Sequence, residues 1–177
     1  MRRLLGVAVL CAALTACTAE IPGPPPKPVP TTSPRIDKPR DVSAFDACKS
    51  LPTDGANWYL NAATAPPAPD EKNPRFCRYS FGYPKGPLTV QVGLEEFEYD
   101  EAKRNNPSGH QGEIDGHTVW FACDTDASTL DCGVWAAVGY ARTLTIRTQS
   151  PGANEAWLLS HRTTLVQYVL DRLPKSS

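Results

Sequence analysis

Residues 41–177 predict an α+β domain: an antiparallel sheet of about five strands, packed by a C-terminal helix and a short N-terminal helix. Two observations carry this expectation. Apolar and polar side chains alternate with a period of two in five segments between Phe76 and Thr148, and an apolar stripe of helical period follows between Asn154 and Leu173.

The elements follow in chain order. Asp46–Pro52 reads as a turn, after which Thr53 or Asp54 caps a short helix through Leu60. Ala65–Pro74 is a proline-rich loop. In Phe76–Tyr83, the side chains of Cys77, Tyr79, Phe81 and Tyr83 share one face. Leu88, Val90, Val92 and Leu94 alternate with Thr89, Gln91, Gly93 and Glu95, so these two segments predict an antiparallel pair with one wet face. Glu98–Arg104 reads as a short helix, with acidic residues at its start and Lys103 and Arg104 at its end, the order the macrodipole favours. Asn105–Gly112 reads as a mobile loop. A third strand is expected over His117–Cys123 and a fourth over Cys132–Gly139, with Asp124–Asp131 a polar loop between them. Gly139-Tyr140-Ala141 turns into a fifth strand, Arg142–Thr148. The closing helix, Asn154–Leu173, carries Leu158, Leu165, Val166, Val169, Leu170 and Leu173 on one side.

The first forty residues are of another kind. Met1-Arg2-Arg3 and the apolar run Leu4–Leu14 have the charged start and core of a secretory signal, too short for the ~20 residues a membrane-spanning helix needs. Leu14-Thr15-Ala16-Cys17 resembles the bacterial lipobox: an aliphatic residue, two small ones, then the cysteine whose thiol takes the diacylglycerol. Residues 1–16 are therefore expected to be removed as a signal peptide, leaving Cys17 lipidated and acylated by palmitate-like chains. Two or three chains on one residue suffice for stable anchoring. An ordinary signal cleavage would instead leave Cys17 a free thiol. Residues 17–40 then form the lipidated Cys and a tether, because eight of the 18 prolines fall within residues 18–40 and such composition samples extended polyproline II. A spacer is the favoured reading, with a ligand for a proline-binding module as the alternative. The expected location is the cell membrane, lipid-anchored and facing outside the cytoplasm.

Composition excludes several classes. At 41% hydrophobic content the 177-residue chain is not disordered overall. Its net charge of −1 leaves no footprint for nucleic acid. Loss of Arg2 and Arg3 leaves 16 basic against 19 acidic residues, a net of −3.

With Cys11 removed and Cys17 lipidated, Cys48, Cys77, Cys123 and Cys132 remain, an even number that predicts two disulfides with three connectivities. Cys123–Cys132 is favoured because both face inward on neighbouring strands of one hairpin, which leaves Cys48–Cys77. A zinc site drawing in His117, or a redox pair, is the rival, although no C-x-x-C is present.

No motif carries catalysis. None of the three His lies in H-E-x-x-H, and G-x-S-x-G, a phosphate loop and S-x-x-K are missing. His117 follows the turn pair Asp115-Gly116 at a strand start, His110 lies in a loop, and His161 sits on the closing helix away from its stripe. The run Glu95–Glu101 lacks the glycine and spaced oxygens of a calcium loop. A non-enzyme with no cofactor and no bound metal is expected. Trp58, Tyr59, Trp120, Trp135 and Trp157 are spread along the domain. Trp120 and Trp135 fall on the face opposite Phe121 and Val134, which predicts a second layer over that face or, as the alternative, an exposed binding surface.

Leu14-Thr15-Ala16-Cys17, the proline-rich tether, Phe45-Asp46-Ala47-Cys48-Lys49-Ser50-Leu51-Pro52 and Phe76-Cys77-Arg78-Tyr79 together resemble a family of small actinobacterial lipoproteins of unknown function. Tyr79 stands where that family's usual partner of the cysteine is Trp. Ile114–Phe121, Leu144-Thr145-Ile146-Arg147 and the closing helix resemble the PsbP-like fold. The resemblance implies a curved antiparallel sheet flanked by helices and an anchored extracytoplasmic role, and it supplies no catalytic residues. The expected task is therefore a binding or interaction module at the cell envelope, with an envelope protein or a cell-wall or lipid ligand as its partner. An envelope enzyme with an unrecognised site, or a purely structural protein, is the alternative.

Overall fold

The computed structural model describes residues 39–176 apart from 56–60, 84–85, 98 and 127. The expected signal, Cys17 and most of the tether lie outside the described residues, as do Trp58 and Tyr59.

Seven antiparallel strands form one open sheet: β1 (Ala68–Pro69), β2 (Phe76–Tyr83), β3 (Gly86–Glu95), β4 (His110–Ile114), β5 (His117–Asp126), β6 (Thr129–Gly139) and β7 (Arg142–Pro151). Their spatial order is β1-β2-β3-β7-β6-β5-β4. The chain thus makes a hairpin, crosses to the far edge through helix α1 (Tyr99–Asn105), and returns as a meander until β7 closes against β3. Helix α2 (Glu155–Arg172) then covers one face against β6 and β7.

Elements with the clearest alternation lie where the sequence puts them. Cys77, Tyr79 and Phe81 stand opposite Val92, Val90 and Leu88, and all six are fully buried. Helix α2 is capped by Asn154, whose side chain accepts from the Trp157 amide, and Leu158, Leu165, Val166, Val169 and Leu170 are buried beneath it. Each such side chain contributes about 1.5–3 kcal/mol over leaving it in water.

The expectation of about five strands is corrected to seven. The segment read as a mobile loop, Asn105–Gly112, holds the start of β4, a polar edge strand whose main inward apolar residue is Ile114. Gly112 occupies another inward position there: a Cβ would lie 2.7 Å from the Phe121 ring, so the aromatic fills the space from the neighbouring strand. The two-residue β1 sits inside the proline-rich loop. Strands β5 and β6 also run further than expected, pairing Asp124 with Asp131 and Asp126 with Thr129, so the polar loop shrinks to the turn between them. Its charges project from the outer end of a twisted ladder, where water reaches them.

The short N-terminal helix expected from Thr53 or Asp54 falls mostly on residues outside the description; Asp54 itself bridges Ala62 in extended conformation. The preceding turn contains a 3₁₀ helix, Ala47–Lys49, capped by Asp46. Cys48–Cys77 and Cys123–Cys132 are disulfide-bonded. The Tyr79 hydroxyl donates to the Ala47 carbonyl at 2.6 Å and accepts from the Leu51 amide, which an indole N–H could not do.

The two ends of the domain meet. Arg40 bridges Lys175, the Asp41 amide donates to the Pro174 carbonyl, and the Ser176 amide donates to the Pro39 carbonyl. Arg40 itself is buried. Its Nε donates to His117 Nε2 at 3.2 Å, Nη1 to the Leu173 carbonyl, and Nη2 reaches Asp115 at 3.2 Å.

Candidate functional site

The sheet face opposite α2 is divided in two. Over β5 and β6 it is roofed by α1: Ala102 packs with Ala122 and Trp135, Trp120 Nε1 donates to the Asn106 carbonyl, and the Tyr99 hydroxyl donates to the Val119 carbonyl at 2.9 Å. Burial, with Asp100 alongside, pushes the Tyr99 hydroxyl well above the ordinary phenol range. The second layer expected over Trp120 and Trp135 is therefore present, and Trp135 is only 3% exposed.

Helix α1 is seven residues long and packs mainly on β5 and β6, away from the part of the face made by β2, β3 and the neighbouring half of β7. There the face is a polar shelf over a groove of about 380 Å³, with Asp70, Arg78, Gln91, Glu95, Arg147 and Gln149 among its walls. Register builds it. Gln91 stands opposite both Arg78 on β2 and Arg147 on β7, and Arg147 stands opposite Gly133 on β6. A Cβ on Gly133 would lie 2.2 Å from the Trp135 ring, so the missing side chain lets the indole lie flat over β6. The Arg147 guanidinium then rests 5.8 Å from that ring.

The flanking groups are locked. Asp70 is buried and accepts from the amides of Lys72 and Asn73, from Arg78, and from Gln91 Nε2 at 2.7 Å. The Arg78 hydrogen bond is the main influence holding this carboxyl below its usual range. Gln149 Nε2 donates to Asp131 at 2.8 Å. Glu95 accepts from the Thr145 hydroxyl, and burial pushes its carboxyl up, against the opposing pull of Thr145 and Arg147.

A raised carboxyl holds its proton more tightly folded than unfolded, so its contribution to stability is full at acid pH and is lost as pH rises through the folded value. Glu95→Gln is therefore expected to be at least as stable as the parent at pH 7, with the gap closing as pH falls through the carboxylate range. Urea unfolding at pH 7 and pH 4 measures this. A variant less stable at pH 7 would show that the hydrogen bonds outweigh desolvation.

The residues singled out from the sequence are not brought together. His110 is exposed and stacks on Phe121, His117 is buried against Arg40, and His161 packs against Trp157 with ring centroids 4.2 Å apart. Within the acidic run, Glu96 pairs with Arg75 and Arg142, while Glu95 turns into the shelf. No group of three His, Cys, Asp or Glu among the described residues is placed to hold a metal ion. No helix among them is long and apolar enough to cross a membrane.

A family model described as protein of unknown function (DUF3558) matches residues 12–157. The chain belongs to that family. The matched segment holds all seven strands, α1 and every shelf residue, and ends in the first turn of α2. No curated protein and no solved structure matches the chain. Sequence reasoning placed Gln91 on a wet face but passed over Arg147, Gln149 and Asp70. Strand alternation marked β7 as amphipathic, yet nothing local told that its polar side meets that of β3.

Proposed function

We propose that this DUF3558 protein is a lipid-anchored extracytoplasmic binding module, non-catalytic, whose partner seats on the polar shelf. The partner is an envelope protein or a cell-wall or lipid ligand. The observation that carries this reading is the division of one sheet face: α1 roofs the aromatic half, and the other half presents an ordered array of charged and amide side chains over a groove. Leu14-Thr15-Ala16-Cys17 and the prolines after it support the anchor and spacer, and two disulfides suit an oxidising compartment. The actinobacterial origin and the PsbP-like form of the sheet belong to the same reading.

One experiment in intact cells tests both parts. The full chain is expressed with a photo-crosslinking residue at Thr89, beside the shelf, or at Tyr140, which is 87% exposed in the β6–β7 turn. Adducts are expected from Thr89 and not from Tyr140, and fatty-acid label is expected to disappear with Cys17→Ala. Equal adducts at both positions, or none from Thr89, would remove the shelf from the proposal. Label retained by the Cys17→Ala variant would remove the anchor.

A further inference from the structure

Resting on the reading of the shelf as a ligand seat, we infer that it takes a carboxylate-bearing saccharide, with Arg147 clamping the carboxylate and Gln91 and Gln149 accepting from ring hydroxyls. Among the described residues, Arg147 makes no hydrogen bond or ion pair; its exposed guanidinium rests 5.8 Å from the Trp135 ring and attracts the Glu95 carboxyl through space. The planar fork therefore has its donors unspent and its plane supported. That is the arrangement that binds a carboxylate through two parallel hydrogen bonds.

The neighbours say what else the ligand carries. A carboxylate only accepts, so the contacts of Gln91 with Asp70 and Gln149 with Asp131 fix each amide with its NH₂ turned to the acid. Each amide carbonyl is left as the group available to a ligand. Gln91 is the cross-strand neighbour of Arg147, and Gln149 lies two residues along β7 on the same face. Those positions put the Cβ atoms of both glutamines roughly 5–8 Å from that of Arg147, the scale of one sugar ring. An acceptor on either side of a cation suits a ligand with one negative group flanked by hydroxyl donors.

Charge selects among anions. Asp70 and Glu95 line the same groove as Arg147, and Asp70 is already engaged by Arg78. Asp70 and Glu95 oppose any anion seated beside Arg147, and they oppose a phosphate dianion more than a monocarboxylate. The carboxylate is favoured over phosphate on that count.

The test uses the full chain in detergent micelles and ligand-observed NMR, with glucuronate as probe and glucose, methyl glucuronate ester and inorganic phosphate beside it. Saturation transfer is expected to glucuronate, with weak or no transfer to glucose and the ester, and phosphate is expected not to displace it. Arg147→Ala should weaken glucuronate at least tenfold, and Arg147→Lys should also lose most of it. Arg172→Ala, an equal charge change on α2, should leave binding as it is. Binding that survives Arg147→Ala, or is equal for acid and ester, overturns the assignment. Displacement by phosphate would reassign the clamp to anions in general and overturn the carboxylate. If glucuronate fails while crosslinks from Thr89 persist, the ligand class is wrong and the binding module stands.

Discussion

Arg40→Ala is expected to destabilise the domain by about 3 kcal/mol, measured by urea unfolding. The guanidinium is buried and serves three groups at once: His117, the Leu173 carbonyl and Asp115. Because His117 Nε2 accepts from Arg40, the ring proton sits on Nδ1, where it donates to the Ala137 carbonyl at 3.0 Å. Truncating the arginine leaves a buried ring nitrogen and a buried carbonyl without their donor, at about 1–3 kcal/mol each. Arg40→Met separates packing from charge, since it keeps the stem and removes the donors. Arg40→Lys should recover little, because one ammonium cannot reproduce a fork aimed at three acceptors. A loss below about 1 kcal/mol for the alanine variant would mean that water replaces these contacts freely.

Replacing Cys48 and Cys77 together by Ala is expected to cost more than the same change at Cys123 and Cys132. The separations are 29 and 9 residues, and loop-closure entropy gives about 3.5 kcal/mol for the first and about 2.5 kcal/mol for the second. Native structure sharpens the ordering. Cys123 and Cys132 face each other in a ladder that pairs their neighbours on both sides, whereas the turn around Cys48 is otherwise held to the sheet by the Tyr79 hydroxyl and by packing of Phe45, Ala47 and Leu51 on the core. Thermal unfolding of each double variant measures the difference, with the first expected to melt roughly 10 °C below the parent. An equal or larger drop from the Cys123 and Cys132 pair would reverse the ordering.

What was legible in the sequence follows the range of the interactions. Strands β2 and β3 and helix α2 write their burial into local periodicity, and Asn154 marks the start of α2 by its own side chain. Strand β4 hides because Gly112 and His110 take positions where an apolar residue would have signalled a core. The turn pair Asp115-Gly116, both at positive φ, was visible, but a turn without a readable strand before it does not make a hairpin. Arg40 and Arg162 are charged residues in the interior. Arg162 meets one near acceptor, the Leu158 carbonyl, but its partner Gly133 and Arg40's partners Leu173, His117 and Asp115 are distant in the chain, so no local pattern announces them. Burial lowers the Arg162 guanidinium from its ordinary range. The shelf is hidden for the same reason: it exists only once β7 lies against β3.

The pairing of residues 39–41 with 174–176 sets a load path. Tension drawn through residue 39 falls first on Arg40 and on the short pairing with Pro174–Ser176, a handful of bonds at one corner. Peeling that corner would free the chain as far as Cys48 and pay out roughly 25–30 Å of slack. There Cys48–Cys77 stops it, passing the pull straight into β2 and sparing the segment between the two cysteines. The sheet, and the shelf on it, would keep their shape while the leash yields.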